Sequence, residues 1–403
     1  MIPVSEAIRI VKEQTPLLQA ESAPLVDARQ RFLAENIEAD SDLPPFNRSQ
    51  MDGYALRAAD VQQAPATLRI VGESAAGRGW HQQLSVGEAV RIMTGAPVPE
   101  GADSVQQVEL TREFEDGTAV EILEAVSPGR SVVSRGKEIK KGELVLGVGE
   151  VINAGSVAVL ASFGYSSVKV RQRPRVAVLA TGSELVDVDQ KPGQDQIRDS
   201  NNYSIAAYAA LAGATTNQLP LAGDDTKLLV RQIVEASGSS DMVISSGGVS
   251  VGAYDFTKPA LRELGAEIFF ERVALRPGKP IVFARLPGGA LFFGLPGNPV
   301  SVAVTFNLFA RASILKMQGA SQTELPDDTA VLVSGVKPTP DRDSYIPAEL
   351  TTDSDGRMMV QTLKWGGSSD FISFARADAL IVVPMGPRPL EAGAIVQVLH
   401  LPQ

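Results

Sequence analysis

The stretch Asp241 to Asp255, DMVISSGGVSVGAYD, decides how this chain is read. An apolar run from Met242 to Ile244 passes directly into Ser245, Ser246, Gly247 and Gly248. Serine hydroxyls and unshielded glycine amides can converge on negative oxygens, and Asp255 further on can hold a cation or a polar group of the same ligand. A tight strand-to-helix turn with an ordinary cap is the plainer explanation of the same letters.

Outward from this stretch, the region from Arg173 to about Met317 alternates apolar strands with helical patterns. Strands are predicted at Arg175 to Ala180, 215 to 222, Asp241 to Ser245, Ala266 to Phe270 with its continuation to 275, and Phe292 to Leu295. Helices are predicted at Tyr203 to Ala212, Thr226 to Ala236, Thr257 to Leu264 and Val300 to Met317. That βαβ rhythm predicts a parallel sheet. At the N-terminus, Pro3 and a Ser5 cap open a short amphipathic helix within residues 3 to 20, with Ala7, Ile8, Ile10 and Val11 on one side. Between about 40 and 150, short alternating runs (Thr67 to Val71, Ala89 to Met93, Val120 to Leu123, Leu144 to Val148) separated by Gly and Pro predict small β-rich units. From Ala330 onward short strands return, with Pro338, Pro340, Pro384 and Pro387 marking turns, as in a separate β unit. The expected class is α/β plus β in several domains.

Length and composition agree: 403 residues, 44% hydrophobic and 21% charged, suit a well-cored chain of several domains. There is no Cys, and His81 and His400 are the only histidines. Disulfides, thiolate nucleophiles, thiolate metal sites and multi-histidine metal centres are thereby excluded. Neither histidine has a nucleophile-elbow context for a Ser-His-Asp triad. Carboxylate, Lys/Arg, Ser/Thr and backbone-amide chemistry remains, which suits Mg²⁺ and phosphate-like ligands. A net charge of −10 argues against sequence-independent nucleic-acid binding. The sequence shows no run of the ~18 apolar residues that span a membrane, and Met1 to Glu6 lacks signal-peptide features, so a cytoplasmic address is expected.

In open α/β sheets ligands bind beyond the carboxyl ends of the strands. The turns there are Thr181-Gly182-Ser183-Glu184-Leu185, Gly223-Asp224-Asp225, the Ser-Gly-Gly loop with Asp255, Arg276-Pro277-Gly278-Lys279-Pro280, and Pro296-Gly297-Asn298-Pro299-Val300-Ser301. Assembled so, they bring Glu184, Asp224 and Asp255 to one edge with Arg272, Arg276 and Lys279. Carboxylates alone would repel a phosphate; carboxylates holding Mg²⁺, flanked by guanidinium and ammonium groups, can grip a pyrophosphate. Prolines stiffen the last loop, and Ser301 falls in the first turn of the next helix, where amides and dipole favour an anion. Singly, each feature has a duller explanation. Asp224 and Asp225 can cap the helix at Thr226, Glu184 can be a first-turn helix acid, and the cations can be a solvated face. Pro44 to Ala55, with its Asp52-Gly53 turn, Met93 to Pro99, and Arg135-Gly136-Lys137-Glu138 are further polar turns that local chemistry leaves unassigned.

Together the motifs MDGYA, MTGAPVPEGAD, TGSEL, SSGGVSVG with its trailing Asp, PGKP and GLPGNPVS, in this order over almost the whole chain, resemble the molybdopterin molybdenumtransferase family, the bacterial MoeA type similar to the gephyrin E domain. The resemblance implies insertion of molybdate into adenylylated molybdopterin, with Mg²⁺ present, giving molybdenum cofactor and AMP. It implies an elongated homodimer, with a central MogA-like α/β molybdopterin-binding domain at 174–322 joined by the N-terminal helix at 1–26. Residues 27–45 and 147–173 would form the dimer-forming domain I, 46–146 the β-rich domain II, and 323–403 a C-terminal β-barrel-like domain IV. A transient contact with a molybdopterin adenylyltransferase is the further partner it allows; no nucleic acid or membrane is expected.

The resemblance also assigns residues. Asp52 and Thr94 match the second domain's functional positions, thought to reach the partner's cleft; Glu184, Asp224 and Asp255 match the acidic residues, here expected to hold Mg²⁺; Pro296 and Pro299 match the proline loop. Thr181, Gly182, Ser246, Gly247, Gly248 and Ser250 would cradle the pterin phosphate region, and Arg272, Arg276, Lys279 and Ser301 would hold molybdate. Departures are Glu138 in Gly136-Lys137-Glu138, where the family often has Gly-Glu-Asp, Arg272 and Arg276 where some members have Lys, and Ser183 where Asp is common. Two rivals stand beside this expectation: an adenylyltransferase, opposed by the extra length, and a scaffold with catalysis lost, opposed by the retained carboxylates.

Overall fold

The computed structural model describes residues 1–223, 225–249, 256–364 and 366–402. The chain divides into two compact units, one formed by Met1–Glu35, Val148–Ala154 and Ser167–Gln403, the other by Asn36–Gly147 and Gly155–Ser166.

At the centre of the first unit lies a six-stranded sheet in the order Thr215–Gln218, Arg175–Ala180, Met242–Ser246, Leu291–Leu295, Pro280–Arg285, Glu267–Arg272. The first four strands run parallel. The sequence predicts an all-parallel sheet, but Pro280–Arg285, a strand hidden behind the PGKP turn, is antiparallel to both neighbours. That reversal turns Glu267–Arg272 back into the direction of Leu291–Leu295. The turns following Ala180, Ser246, Arg272 and Leu295 therefore share one edge of the sheet.

Both faces of the sheet are covered, which explains the near-continuous apolar strands. Val176, Val178, Met242, Ile244, Leu291 and Phe293 belong to one buried cluster, while Ala177, Leu179, Val243 and Phe292 belong to another. The period of two assigns alternate side chains to opposite faces. On the first face Phe283 stacks on Phe293, with ring centroids 4.6 Å apart. Truncating either to Ala would cost about 3–5 kcal/mol. Val4, Ala7 and Val11 of the helix Val4–Gln14 join that same face. This helix ends at Gln14, short of the 3 to 20 window, because Pro16 holds Thr15 extended; Ala20–Pro24 then pairs as a strand with Ser167–Arg171. Its N-cap is Pro3 without a side-chain cap, so the expected Ser5 cap instead lies inside the first turn.

The predicted helix from Val300 is Pro299–Thr305, a π-helical turn Phe306–Ala310, and Arg311–Met317 in succession. By length and composition Pro299–Met317 could cross a membrane, but 89% of it is buried inside the fold, as a core helix is. The C-terminal strands Asp343–Thr352, Met358–Thr362, Asp327–Leu332, Ile395–His400 and Ala379–Val383 follow one another around a closed five-stranded barrel, sealed by pairing of the last with the first. Leu275–Arg276 pairs with Asp343–Ser344, which ties the barrel to the turn after Arg272.

The second unit contains a six-stranded sheet in the order Ser104–Gln107, Gly53–Leu56, Glu88–Ile92, Ala66–Ser74, Ala119–Ile122, Thr111–Glu113. Its predicted β character holds throughout this sheet.

Candidate functional site

The turns at the carboxyl edge of the α/β sheet open into a cleft of ≈ 1520 Å³. Its floor is the Ser246-Gly247-Gly248 turn, where φ reaches 86° at Gly247 and 64° at Gly248. Those left-handed conformations suit Gly, and a Cβ on Gly247 would stand 2.4 Å from the Thr181 carbonyl oxygen. Thr181 N donates to Ser246 O (3.0 Å) and Gly247 N to Leu295 O (3.1 Å), so three strand ends are laced together beneath the cleft.

One wall is the segment after Ala180. Glu184 lies in a turn before the short strand Leu185–Val186, not in a helix, and its carboxylate packs over Gly182. Leu185–Val186 pairs with Ile197–Arg198, which leads Asp199 and Asn201 to the cleft. Asp199 is 4% exposed. Burial pushes its carboxyl up from the ordinary range, while the amides of Asn202 and Asn201 pull the other way. Asn201 Nδ2 donates to Gly297 O at 2.7 Å, tying this wall to the proline loop.

Cations line the cleft on both sides, with Arg198 on the first wall. Arg276 and Lys279 line the cleft, and the pairing of Leu275–Arg276 with Asp343–Ser344 brings Arg342 of the barrel to it. Pro296 and Pro299 line it too, with Pro299 opening its helix and Ser301 buried in the same first turn. Asn298 Nδ2 donates to Ser368 Oγ (2.8 Å) and Val300 N to Ser368 O (3.0 Å), so a barrel loop closes this corner.

The structure thus gathers Thr181, Gly182, Glu184, Ser246, Gly247, Gly248, Arg276, Lys279, Pro296, Pro299 and Ser301 around one cleft. Arg272 ends the outermost strand, is exposed, and lies outside the lining, across the strand pair from Pro280, which is part of it. Asp224, Ser250 and Asp255 lie outside the described residues. Asp225 does cap the helix Thr226–Ser237, accepting from the amides of Lys227 and Leu228. Sequence reasoning missed Asp199, Asn201, Arg342 and Ser368. The Asp199-Ser200-Asn201 run just before a helix was a readable cap signal; Arg342 and Ser368 had none, because distant pairing brings them in.

Among the described residues no group of three or more metal-binding side chains forms. Glu184 and Asp199 are the carboxylates of the described lining. Mg²⁺ is commonly held by one or two carboxylates plus waters and substrate phosphates, so this donor set fits it.

In the second unit, Asp52 accepts hydrogen bonds from Thr94 N (2.7 Å) and Thr94 Oγ1 (3.0 Å). The amide first and the hydroxyl second hold its carboxyl below the ordinary range. Gly53, next in the turn, accepts no side chain, since a Cβ would stand 1.9 Å from Gln106 O. Glu138 pairs with Arg48 at 3.0 Å.

Comparison with known proteins agrees along the chain. Residues 2–164 match the model of the MoeA N-terminal region (domain I and II), 177–316 that of a probable molybdopterin binding domain, and 329–401 that of the MoeA C-terminal region (domain IV). The molybdopterin molybdenumtransferase of Bacillus subtilis is 36% identical, over 99% of this chain and 94% of its own. That of Haemophilus influenzae is 35% identical, over 99% and 98%. The crystal structure of the molybdopterin biosynthesis moeA protein from Pyrococcus horikoshii superposes with a TM-score of 0.86 at 26% identity, covering 100% of both chains. With full-length kinship, matching fold and the motif-bearing turns meeting at one cleft, the chain belongs to the MoeA family of molybdopterin molybdenumtransferases.

Proposed function

We propose that this enzyme inserts molybdate into adenylylated molybdopterin and releases AMP. The observation that carries the proposal is the convergence, in one cleft, of the Thr181 to Glu184 and Ser246 to Gly248 turns with Arg276, Lys279 and Arg342. The glycine turn accepts the phosphate region of the pterin, since no side chain blocks approach to its backbone. Arg276 and Lys279, with Ser301, hold the tetrahedral dianion. The same cations stabilise the negative charge that gathers as water attacks the adenylyl pyrophosphate, a new P–O bond forming as the old one breaks to leave AMP and the pterin phosphate. Charge does not separate molybdate from sulfate; site size and the pterin dithiolene do.

Glu184 would hold Mg²⁺, with Asp224 and Asp255 as the resemblance assigns them. When bound, the ion would neutralise part of the pyrophosphate charge. By the same resemblance the working form is a cytoplasmic homodimer in which Asp52 and Thr94 serve the partner's cleft, and the substrate arrives from a molybdopterin adenylyltransferase.

The test is AMP release, followed by chromatography, from adenylylated molybdopterin with and without molybdate. Molybdate-dependent release is expected. ATP consumption with free molybdopterin would instead identify an adenylyltransferase, and inertness in both assays a scaffold.

A further inference from the structure

Two groups of cations reach the cleft, and their anchors stand well apart along the sheet edge. Thr181 follows the strand Arg175–Ala180, Lys279 precedes Pro280–Arg285, and Met242–Ser246 and Leu291–Leu295 lie between them. Three strand spacings of ~4.8 Å set these positions about 14 Å apart, more than one tetrahedral oxyanion spans. Arg276 and Lys279 stand at one end; Arg198 belongs to the wall that follows Thr181 at the other.

Arg198 lies on Ile197–Arg198, which pairs with Leu185–Val186. Ile197 N donates to Glu184 O (2.8 Å) and Asp199 N to Val186 O (2.9 Å), so the backbone of Arg198 is fixed close to Glu184. Its side chain is clasped once, Nε donating to Gln190 O at 3.0 Å. The terminal nitrogens meet no carboxylate among the described residues, although Asp187, Asp189 and Asp195 belong to the same loop. A guanidinium oriented at one edge, with its remaining donors uncommitted, can take a phosphate in fork geometry. Pro192 and Ile197 line the same wall, and Ile197 is 58% exposed despite being apolar. An apolar surface beside an unneutralised guanidinium suits a nucleoside that carries a phosphate.

We propose that Arg198 is a specificity-determining residue that holds the adenylyl phosphate of the substrate, with the adenosine against Pro192 and Ile197. This rests on the proposed function, which brings an adenylylated pterin to the cleft. The pyrophosphate then runs along the sheet edge, its adenylyl phosphate at Arg198 and its pterin phosphate at the Ser246 to Gly248 turn, nearer Arg276 and Lys279. AMP and molybdate accordingly answer to different cations.

The test is calorimetric titration of the full-length protein with AMP, adenosine and molybdate at about 0.15 M salt. Arg198→Gln should weaken AMP about tenfold, the loss of a charge-assisted pair, and leave adenosine and molybdate within about twofold. Arg276→Gln should do the reverse, weakening molybdate and sparing AMP, and Ile197→Ser should weaken AMP and adenosine alike. Circular dichroism checks each variant, and Arg198→Met serves if Arg198→Gln does not fold. An AMP affinity unmoved in Arg198→Gln overturns the proposal. So does an equal loss of adenosine, which would mean that Arg198 only props its loop through Gln190. An Ile197→Ser protein that binds both compounds as wild type does overturns the placement of the adenosine. Failure of wild type to bind AMP overturns the inference alone, since molybdate-dependent AMP release from the adenylylated pterin tests the function separately.

Discussion

Glu184 folds its carboxylate over Gly182 so closely that a methyl group on Gly182 would stand 2.6 Å from Oε2 and 2.7 Å from Oε1. Gly182 also has a φ of 149°, a conformation that other residues adopt reluctantly. In Gly182→Ala the mobile carboxylate would swing away, so the contact itself costs little, and the backbone strain costs about 1–2 kcal/mol. Activity should suffer more than stability, with AMP release falling at least about tenfold as the carboxylate leaves its place. Denaturant midpoints and turnover measured on the same variant check this. Equal losses in both would argue that Glu184 has no positional role.

Gly247 presents the opposite case, because what blocks a side chain there is backbone. A Cβ would stand 2.4 Å from Thr181 O, a backbone atom of the residue whose N and Oγ1 both donate to Ser246 O. Gly289 is a matched control in the same unit: its φ of 90° nearly equals the 86° of Gly247, and nothing lies within 4 Å of its Cβ position. Gly289→Ala should cost about 1 kcal/mol from conformation alone, and Gly247→Ala about 2–4 kcal/mol through added overpacking. Urea unfolding of the pair measures the difference. Equal costs would mean that the cleft floor yields more easily than these contacts suggest.

The cleft floor was legible in the sequence because each of its parts follows a strand end. A run such as Met242 to Ile244 and a Ser-Gly-Gly turn are local signals, and strand direction alone carries Thr181, Gly247 and Pro296 to one edge. What escaped depends on pairing between distant segments. The sequence reading assigns no strand to Pro280–Arg285, and its antiparallel pairing with Leu291–Leu295 shows only in the register. Arg342 is carried to Arg276 by the pairing of two distant segments, and Ser368 is held by Asn298. No local periodicity encodes either.

Thr94 supplies two donors to the Asp52 carboxylate, and the pH dependence of that contact has a fixed sign. With the folded carboxyl held below its ordinary range, the interaction is present in full above the unfolded pKa and fades as pH falls through the folded one. Thr94→Val removes the hydroxyl and keeps the amide. Carboxyl chemical shifts followed by NMR between about pH 2 and 6 should show Asp52 moving upward in the variant while remaining below an unperturbed aspartate. An unmoved titration would assign the depression wholly to the backbone amide, and a rise to the unperturbed range would deny the amide its leading part.

Arg276 and Arg272 separate a charge in the cleft from one merely near it. Both arginines are exposed, but Arg276 lines the cleft together with Lys279 and Arg342, whereas Arg272 lies outside the lining. A dianion in direct contact with a guanidinium gains a charge-assisted bond, while a charge that does not touch it acts only through a field that salt damps within a Debye length of ~10 Å at 0.1 M. Calorimetric titration with molybdate should therefore show Arg276→Gln and Lys279→Gln weakening binding by about tenfold at low and moderate salt. Arg272→Gln should change it by less than about twofold, and that small effect should vanish as salt is raised. Equal losses from Arg272→Gln and Arg276→Gln would mean that the oxyanion responds to the general field of this edge, and the assignment of Arg276 and Lys279 as its direct ligands would fail.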